Sequence, residues 1–256
     1  MPALLAAAAT RTPLIVRIGG DMVWESYVER TKEPVRFSEF YEAKRRLSLK
    51  ERLMRAGTRM LVRDARKLLF NTRFQRDIWQ KAYGFDASEA GVVENFVPQK
   101  EEAAPPAQGK KIFVATGRDI ALKNRAKLEL AFAKIREKNP DAELDVRSLP
   151  PAEHRARLRE CYAIVIASIS DIGPNTAIDA VVAGKPFITT EDTGAKERLA
   201  DLGLFIDTRS DAALVQALET MLVPEQYERF AARIRAFAFT HSWDEMADEI
   251  LSAYAA

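Results

Sequence analysis

The chain has 256 residues, 47% hydrophobic and 30% charged, ordinary globular composition with enough apolar material for one large core or two small ones. A single cysteine, Cys161, excludes an intramolecular disulfide, and two distant histidines, His154 and His241, argue against a zinc centre of the Cys/His type. No apolar run approaches the roughly 20 residues that cross a bilayer, and the net charge of +2 conceals a strong local bias.

In chain order, Pro2–Ala9 reads as the tail of a helix; its apolar part is short and no basic segment precedes it, so it does not read as a signal peptide. Pro13–Ile18 is a short apolar strand ending at Gly19-Gly20-Asp21, and a lone strand needs neighbours to be stable in water. The pattern predicts a helix from Phe37 to about Arg66, with Phe40, Leu47, Leu53, Met54, Leu61 and Val62 among many arginines. Lys67–Phe70 reads as a strand, Asn71-Thr72 as the cap of a helix running to about Tyr83, and Gly91–Asn95 as another short strand. Between Lys44 and Arg76 stand twelve basic residues against two acidic ones. Three readings are open for this segment: a solvated helix face, a surface for an anionic membrane, or a nucleic-acid site. The last is disfavoured because the segment has no aromatic platform or recognisable reading motif.

Pro98–Gly109 has nothing to bury and reads as a linker. Beyond it strands are expected at Lys111–Thr116, Glu143–Arg147, Ala163–Ala167, Pro186–Thr190 and Leu204–Ile206. Helices are expected at Asn124–Lys138, Pro151–Cys161, Asn175–Ala183, Gly194–Ala200 and Asp211–Leu222, followed by Pro224–Phe239 and Trp243–Tyr254. Such alternation predicts an α/β fold with a parallel sheet and right-handed crossovers. Cys161 ends a helix in front of an apolar strand and reads as core.

Three strand-to-helix loops carry groups suited to a ligand. The first is Thr116-Gly117-Arg118 with Lys123: the glycine permits a sharp backbone turn, and the two cations suit a diphosphate. The second is Ser168–Asp179, with Asp171 in the loop, Gly173-Pro174 as punctuation, and Asp179 two turns into the helix. The third is Thr189–Glu197, a strand end, a small-residue turn at Thr193-Gly194 and a helix start. Taken singly, each charge also fits a solvated surface position. All three loops fall on the carboxyl edge of one predicted parallel sheet, where α/β folds bind ligands.

Together these residues resemble the C-terminal half of a GT-B glycosyltransferase, most closely glycosyltransferase family 4. Arg118 and Lys123 match the family's donor-diphosphate pair, and Asp171 and Asp179 have the spacing of its Glu-x7-Glu motif. Gly173-Pro174-Asn175, Ala180, Gly184-Lys185-Pro186 and Thr193-Gly194 resemble its surrounding pattern, and Ser242–Tyr254 its final helix. Both motif acids are aspartates here, and Ala195 stands where a glycine is usual.

The resemblance implies a GT-B-like architecture: a partial, acceptor-side N-terminal domain over 1–98, a nucleotide-sugar-binding domain over 110–240, and a crossover helix over 241–256 packing back on the N-terminal domain. Arg118, Lys123 and Asp171 are implied as catalytic, and Gly117, Ile172, Gly173, Asn175, Asp179, Thr193 and Gly194 as donor-binding. Asp179 would hold the ribose, and Asp171 with the Ile172-Gly173 backbone would orient the sugar. The implied partners are a UDP- or GDP-linked sugar and a glycan or lipid-linked acceptor, with no cofactor and no metal, in the cytoplasm or on the inner membrane face. Transfer with retention of anomeric configuration is implied. A non-catalytic nucleotide-sugar-binding module and an epimerase of the same fold are the rival readings.

Overall fold

A computed structural model describes residues 2–100, 110–115 and 117–255; most of the expected linker and Thr116 lie outside the described residues. The chain forms two compact units, one of Met1–Phe96 with His241–Ala256 and one of Val97–Thr240.

In the first unit, β1 (Ile15–Ile18), β2 (Lys67–Phe70) and β3 (Ala90–Val92) form a parallel sheet in the order β1-β2-β3. The neighbour that β1 needs is therefore supplied from far along the chain. Helix α1 spans Pro2–Thr10, and α2 spans Met22–Thr31, a helix the sequence reading did not anticipate. Asp21 starts α2: its Oδ1 accepts from Trp24 N at 2.8 Å and its Oδ2 from the Tyr41 hydroxyl at 2.6 Å. One carboxylate oxygen thus caps the helix and the other holds Tyr41, and burial pushes this carboxyl's pKa up.

The helix expected over Phe37–Arg66 is instead two, α3 (Phe37–Phe40) and α4 (Leu49–Asp64). The break has a local cause. Ser48 and Glu51 form a reciprocal capping box, Glu51 N donating to Ser48 Oγ and Ser48 N to Glu51 Oε2. Glu51 is fully buried and held bidentately by Arg30, at 2.8 Å to each oxygen. Helix α5 (Arg73–Tyr83) starts on Thr72, which accepts from Gln75 N at 3.2 Å, and stops at Gly84 in the left-handed region at φ +73°. The last helix of the chain, α12 (Trp243–Ala255), buries Met246 against Leu69 and Val93, the exposed Trp243 stacking on Phe96.

The second unit holds β4 (Lys111–Val114), β5 (Ala142–Asp145), β6 (Ala163–Ile166), β7 (Phe187–Thr190) and β8 (Gly203–Ile206), all parallel, in the order β5-β4-β6-β7-β8. Its helices are α6 (Arg125–Lys138), α7 (Pro151–Glu160), α8 (Asn175–Val182), α9 (Lys196–Leu199), α10 (Asp211–Leu222) and α11 (Pro224–Ala236). Both sheet faces are covered, which is why the strands read as continuous apolar runs. Phe113, Val165 and Ile188 point to one face, packed by Leu128, Phe132 and Ile135 of α6 and Leu214 and Leu218 of α10. Their strand neighbours Ile112, Val114, Ile164 and Ile166 point to the other, against Leu158, Ala180, Val181 and Leu199. Cys161 is fully buried in that second cluster, and burial pushes its thiol up to about 12, leaving it protonated core at neutral pH.

Candidate functional site

The sheet order sets the site. β5 flanks β4 on one side and β6 on the other, so the loops leaving β4 and β6 lie side by side at the carboxyl edge. Such a switch point opens a crevice there. Four loops at this edge are stitched together. Ile169 N donates to Leu122 O at 2.9 Å, Asn124 Nδ2 to Thr208 O at 2.8 Å, and Thr208 Oγ1 to Ser168 O at 2.8 Å. Asp171 N donates to Asp192 O at 3.0 Å, and Asp171 and Thr193 pair as a short parallel bridge. Thr190 Oγ1 reaches Ile169 O at 3.2 Å, and the Ser170 hydroxyl is bonded to the Asp192 carboxylate. The loops after β4, β6, β7 and β8 thus form one interlocked rim.

A cleft of about 400 Å³, part of it open solvent, lies in this rim. Gly117, Arg118, Lys123 and Arg125 line it, with Ser168, Val146 and the ends of β4 and β6. Gly117 has φ +143°, a conformation that side chains resist, and a Cβ there would lie 3.3 Å from Lys123 Cε. The bare glycine therefore leaves room for the lysine stem, and Lys123 Nζ donates to Ser168 Oγ at 3.3 Å. Arg118 is exposed at the mouth. Arg125 is neutralised by Glu129, at 2.8 Å. The expected diphosphate pair, Arg118 and Lys123, is brought together in one pocket.

The Lys123 charge also acts on Asp171, in the loop after β6. Its Oδ2 is buried and has no hydrogen-bond partner among the described residues. Burial pushes its carboxyl up to about 6, from an ordinary 3.8, while the Lys123 charge pulls it down. A buried acceptor without a donor is costly, and a ligand hydroxyl would supply one. Ile172 is buried, Gly173 is half-buried, and Gly173 O accepts from Asn175 N at 2.8 Å. Pro174 sits at the cap position of α8, directly before its first helical residue, and Gly184 follows the helix at φ +70°.

Asp179, like Asp171, Ile172, Gly173, Asn175, Thr193 and Gly194, is not among the residues that line this cleft. Asp179 is exposed on α8, yet its carboxyl is crowded by protein atoms, and that desolvation raises its pKa while His154 and Arg155 of α7 lower it in turn. Thr193 and Gly194 are buried, Thr193 Oγ1 accepting from Ala195 N at 3.0 Å, so the third loop braces Asp171 through its backbone. Its helix is shorter than expected, Lys196–Leu199 in place of Gly194–Ala200.

Several residues of this rim escaped the sequence reading. Ser168 on Lys123, Asp192 on Ser170 and Thr208 on Ser168 are pairings across loops that no local spacing reveals. One signal was present: Ser168, Asp192 and Thr208 each stand two residues after β6, β7 and β8, where strand ends must satisfy their own backbone groups.

Neither a known family pattern nor a curated protein sequence matches the chain. Solved structures do. HepE of Anabaena, solved in complex with UDP and glucose, matches with a TM-score of 0.72 at 13% identity, over 99% of this chain and 74% of that one. WaaG, a glycosyltransferase involved in lipopolysaccharide biosynthesis, matches with a TM-score of 0.63 at 16% identity, over 94% and 74%. Sucrose-phosphate synthase of Thermosynechococcus elongatus gives 0.63 at 14%, over 98% and 75%. At such identities the likeness establishes the fold: α/β with parallel sheets, matching the GT-B glycosyltransferases.

Proposed function

We propose that this chain transfers a hexosyl group from a nucleotide-diphosphate sugar to a glycan or lipid-linked acceptor, with retention, as a glycosyltransferase akin to family 4. The observation that carries this reading is the meeting of Gly117, Arg118 and Lys123 in one cleft, with the Lys123 charge acting on Asp171, whose buried Oδ2 has no hydrogen-bond partner among the described residues. As the bond from the anomeric carbon to the phosphate oxygen breaks, its electron pair stays on the leaving diphosphate. Arg118 and Lys123 stabilise that growing charge by preorganised electrostatics, without a metal in the proposed mechanism. Asp171 accepts from a sugar hydroxyl, and Asp179, with His154 and Arg155 near it, accepts from the ribose. The nucleotide-sugar complex of HepE supports a donor of this chemical class.

A binding module without turnover is the second reading, favoured by one feature: both motif acids are the shorter aspartate. Calorimetry with UDP-glucose and GDP-mannose tests the donor site. Binding lost in Arg118→Ala and Lys123→Ala supports it, and no binding to either sugar nucleotide removes both readings. Release of nucleoside diphosphate dependent on an added acceptor then selects the enzyme over the module.

A further inference from the structure

Helix α4 turns apolar side chains outward. Its inward side carries Glu51, fully buried, and Val62, whereas Leu49, Leu53 and Met60 are 74%, 65% and 39% exposed. At 3.6 residues per turn, positions 49, 53, 56 and 60 fall within a stripe about 60° wide. With the exposed Ala56 they form one ridge along the helix axis. Arg52, Arg59 and Arg63, all exposed, run along one flank of that ridge, and exposed Lys50 lies on the other.

The charges around the ridge are nearly all positive. Of the two acids in α4, Glu51 is buried against Arg30, and Asp64 is held by Arg63 at 2.6 and 3.0 Å. Arg52 Nε donates to Leu47 O at 3.1 Å, which orients its guanidinium without neutralising it. A single exposed leucine needs no explanation, but a collinear apolar ridge with basic flanks does. Nucleic acid would use the cations and leave the ridge in water. A protein partner would use the ridge and would have to match a one-sign rim. An anionic bilayer uses both, since its phosphates pair with arginine and its acyl boundary takes the leucines.

We propose that α4 docks this protein on an anionic membrane surface, Leu49, Leu53 and Met60 entering the headgroup–acyl boundary while Lys50, Arg52 and Arg59 pair with lipid phosphates. The docking face belongs to the first unit and does not depend on the donor-site reading. It sharpens the sequence-level bias of Lys44–Arg76, because several arginines of that segment are engaged internally. Arg55 lies over the Tyr41 ring, Arg66 over Tyr254, and Arg76 pairs with Asp77.

The test is sedimentation of the full chain with vesicles of phosphatidylcholine alone, or of phosphatidylcholine with about one third phosphatidylglycerol. Two paired variants separate the components, Leu49→Ser with Leu53→Ser and Arg52→Gln with Arg59→Gln. All four side chains are exposed, so unchanged thermal melting verifies that each variant folds. The wild type is expected to pellet with the anionic vesicles only, less so in high salt. The arginine pair should lose about fivefold per residue, and the leucine pair about tenfold or more. The proposal is overturned if the wild type ignores anionic vesicles, binds neutral ones equally, or binds as well in the leucine variant. It is overturned equally if vesicles are ignored while a concentration-dependent dimer is dissolved by the leucine variant, or RNA binding by the arginine variant.

Discussion

Lys123 holds the residue-scale chemistry together, because it binds a hydroxyl and acts electrostatically on a carboxyl. Its ammonium is bonded to Ser168 and opposes the desolvation of Asp171. Lys123→Ala should weaken binding of a nucleoside diphosphate about 10- to 100-fold, the loss of one strong charge-assisted contact, read by calorimetry. The same change should push the Asp171 carboxyl further above about 6, read by carbon NMR of labelled aspartate. Gly117→Ala should act on the same lysine, since the added methyl meets its stem and the backbone conformation resists it.

The pH dependence follows in sign from Asp171. Its folded carboxyl lies near 6 and its ordinary value is 3.8, so the unliganded fold binds the extra proton more readily than the unfolded chain between these values. The stability contributed by this group is therefore present below about 3.8 and lost as pH rises through about 6. A sugar hydroxyl that donates to the carboxylate favours the ionised form. Donor affinity should therefore rise from pH 5 to pH 7 and then level, with proton release below pH 6 seen as a buffer-dependent binding enthalpy. Asp171→Asn should flatten that dependence, and a wild-type affinity independent of pH would contradict the role given to Asp171.

At the scale of elements, the second unit was legible and the first only partly. Apolar runs buried on both faces, alternating with helical stretches, announced β4 to β8 and α6 to α11 within a residue or two at most ends. Helix α2 was hidden because Val23, Trp24, Tyr27 and Val28 are β-branched or aromatic, types that favour strands. What makes it a helix is the Asp21 cap and the burial of those four side chains. The division between α3 and α4 was written as Ser48-x-x-Glu51, a start signal submerged in a long basic periodicity. Ser48→Ala should therefore cost about 1 kcal/mol, the usual worth of a cap, measured by denaturant unfolding. In the second unit, a Cβ on Gly203 would fall 2.5 Å from Cε2 of Phe187, its register partner on β7. Gly203→Ala should destabilise by roughly 1–3 kcal/mol through overpacking, and a neutral result would mean that the ring has room to move.

For the whole molecule, local pattern could not give the long-range pairings. β1 finds β2 some fifty residues later, and α12 returns from the chain's end to cover Leu69 and Val93. The carboxyl edge of the second sheet, by contrast, was foreseeable from the alternation of strands and helices; Arg118 and Lys123 line one cleft there, and the Lys123 charge acts on Asp171. Asp171 and Asp179 were matched by their spacing; neither lines the cleft, and the charges acting on Asp179 come from His154 and Arg155 of α7. Spacing gives a helical position, and only tertiary packing decides which neighbour that position meets. If Asp179 holds the ribose, Asp179→Glu changes donor affinity in one direction or the other, whereas a solvated acid would tolerate the swap.

The most direct measurement is calorimetric titration of the intact chain with UDP-glucose and GDP-mannose, beside Arg118→Ala and Lys123→Ala. Saturable binding of at least one sugar nucleotide, weakened at least tenfold in each variant, is the expected result. Absence of binding to both, or binding that neither variant weakens, contradicts the donor site at the edge of the second sheet.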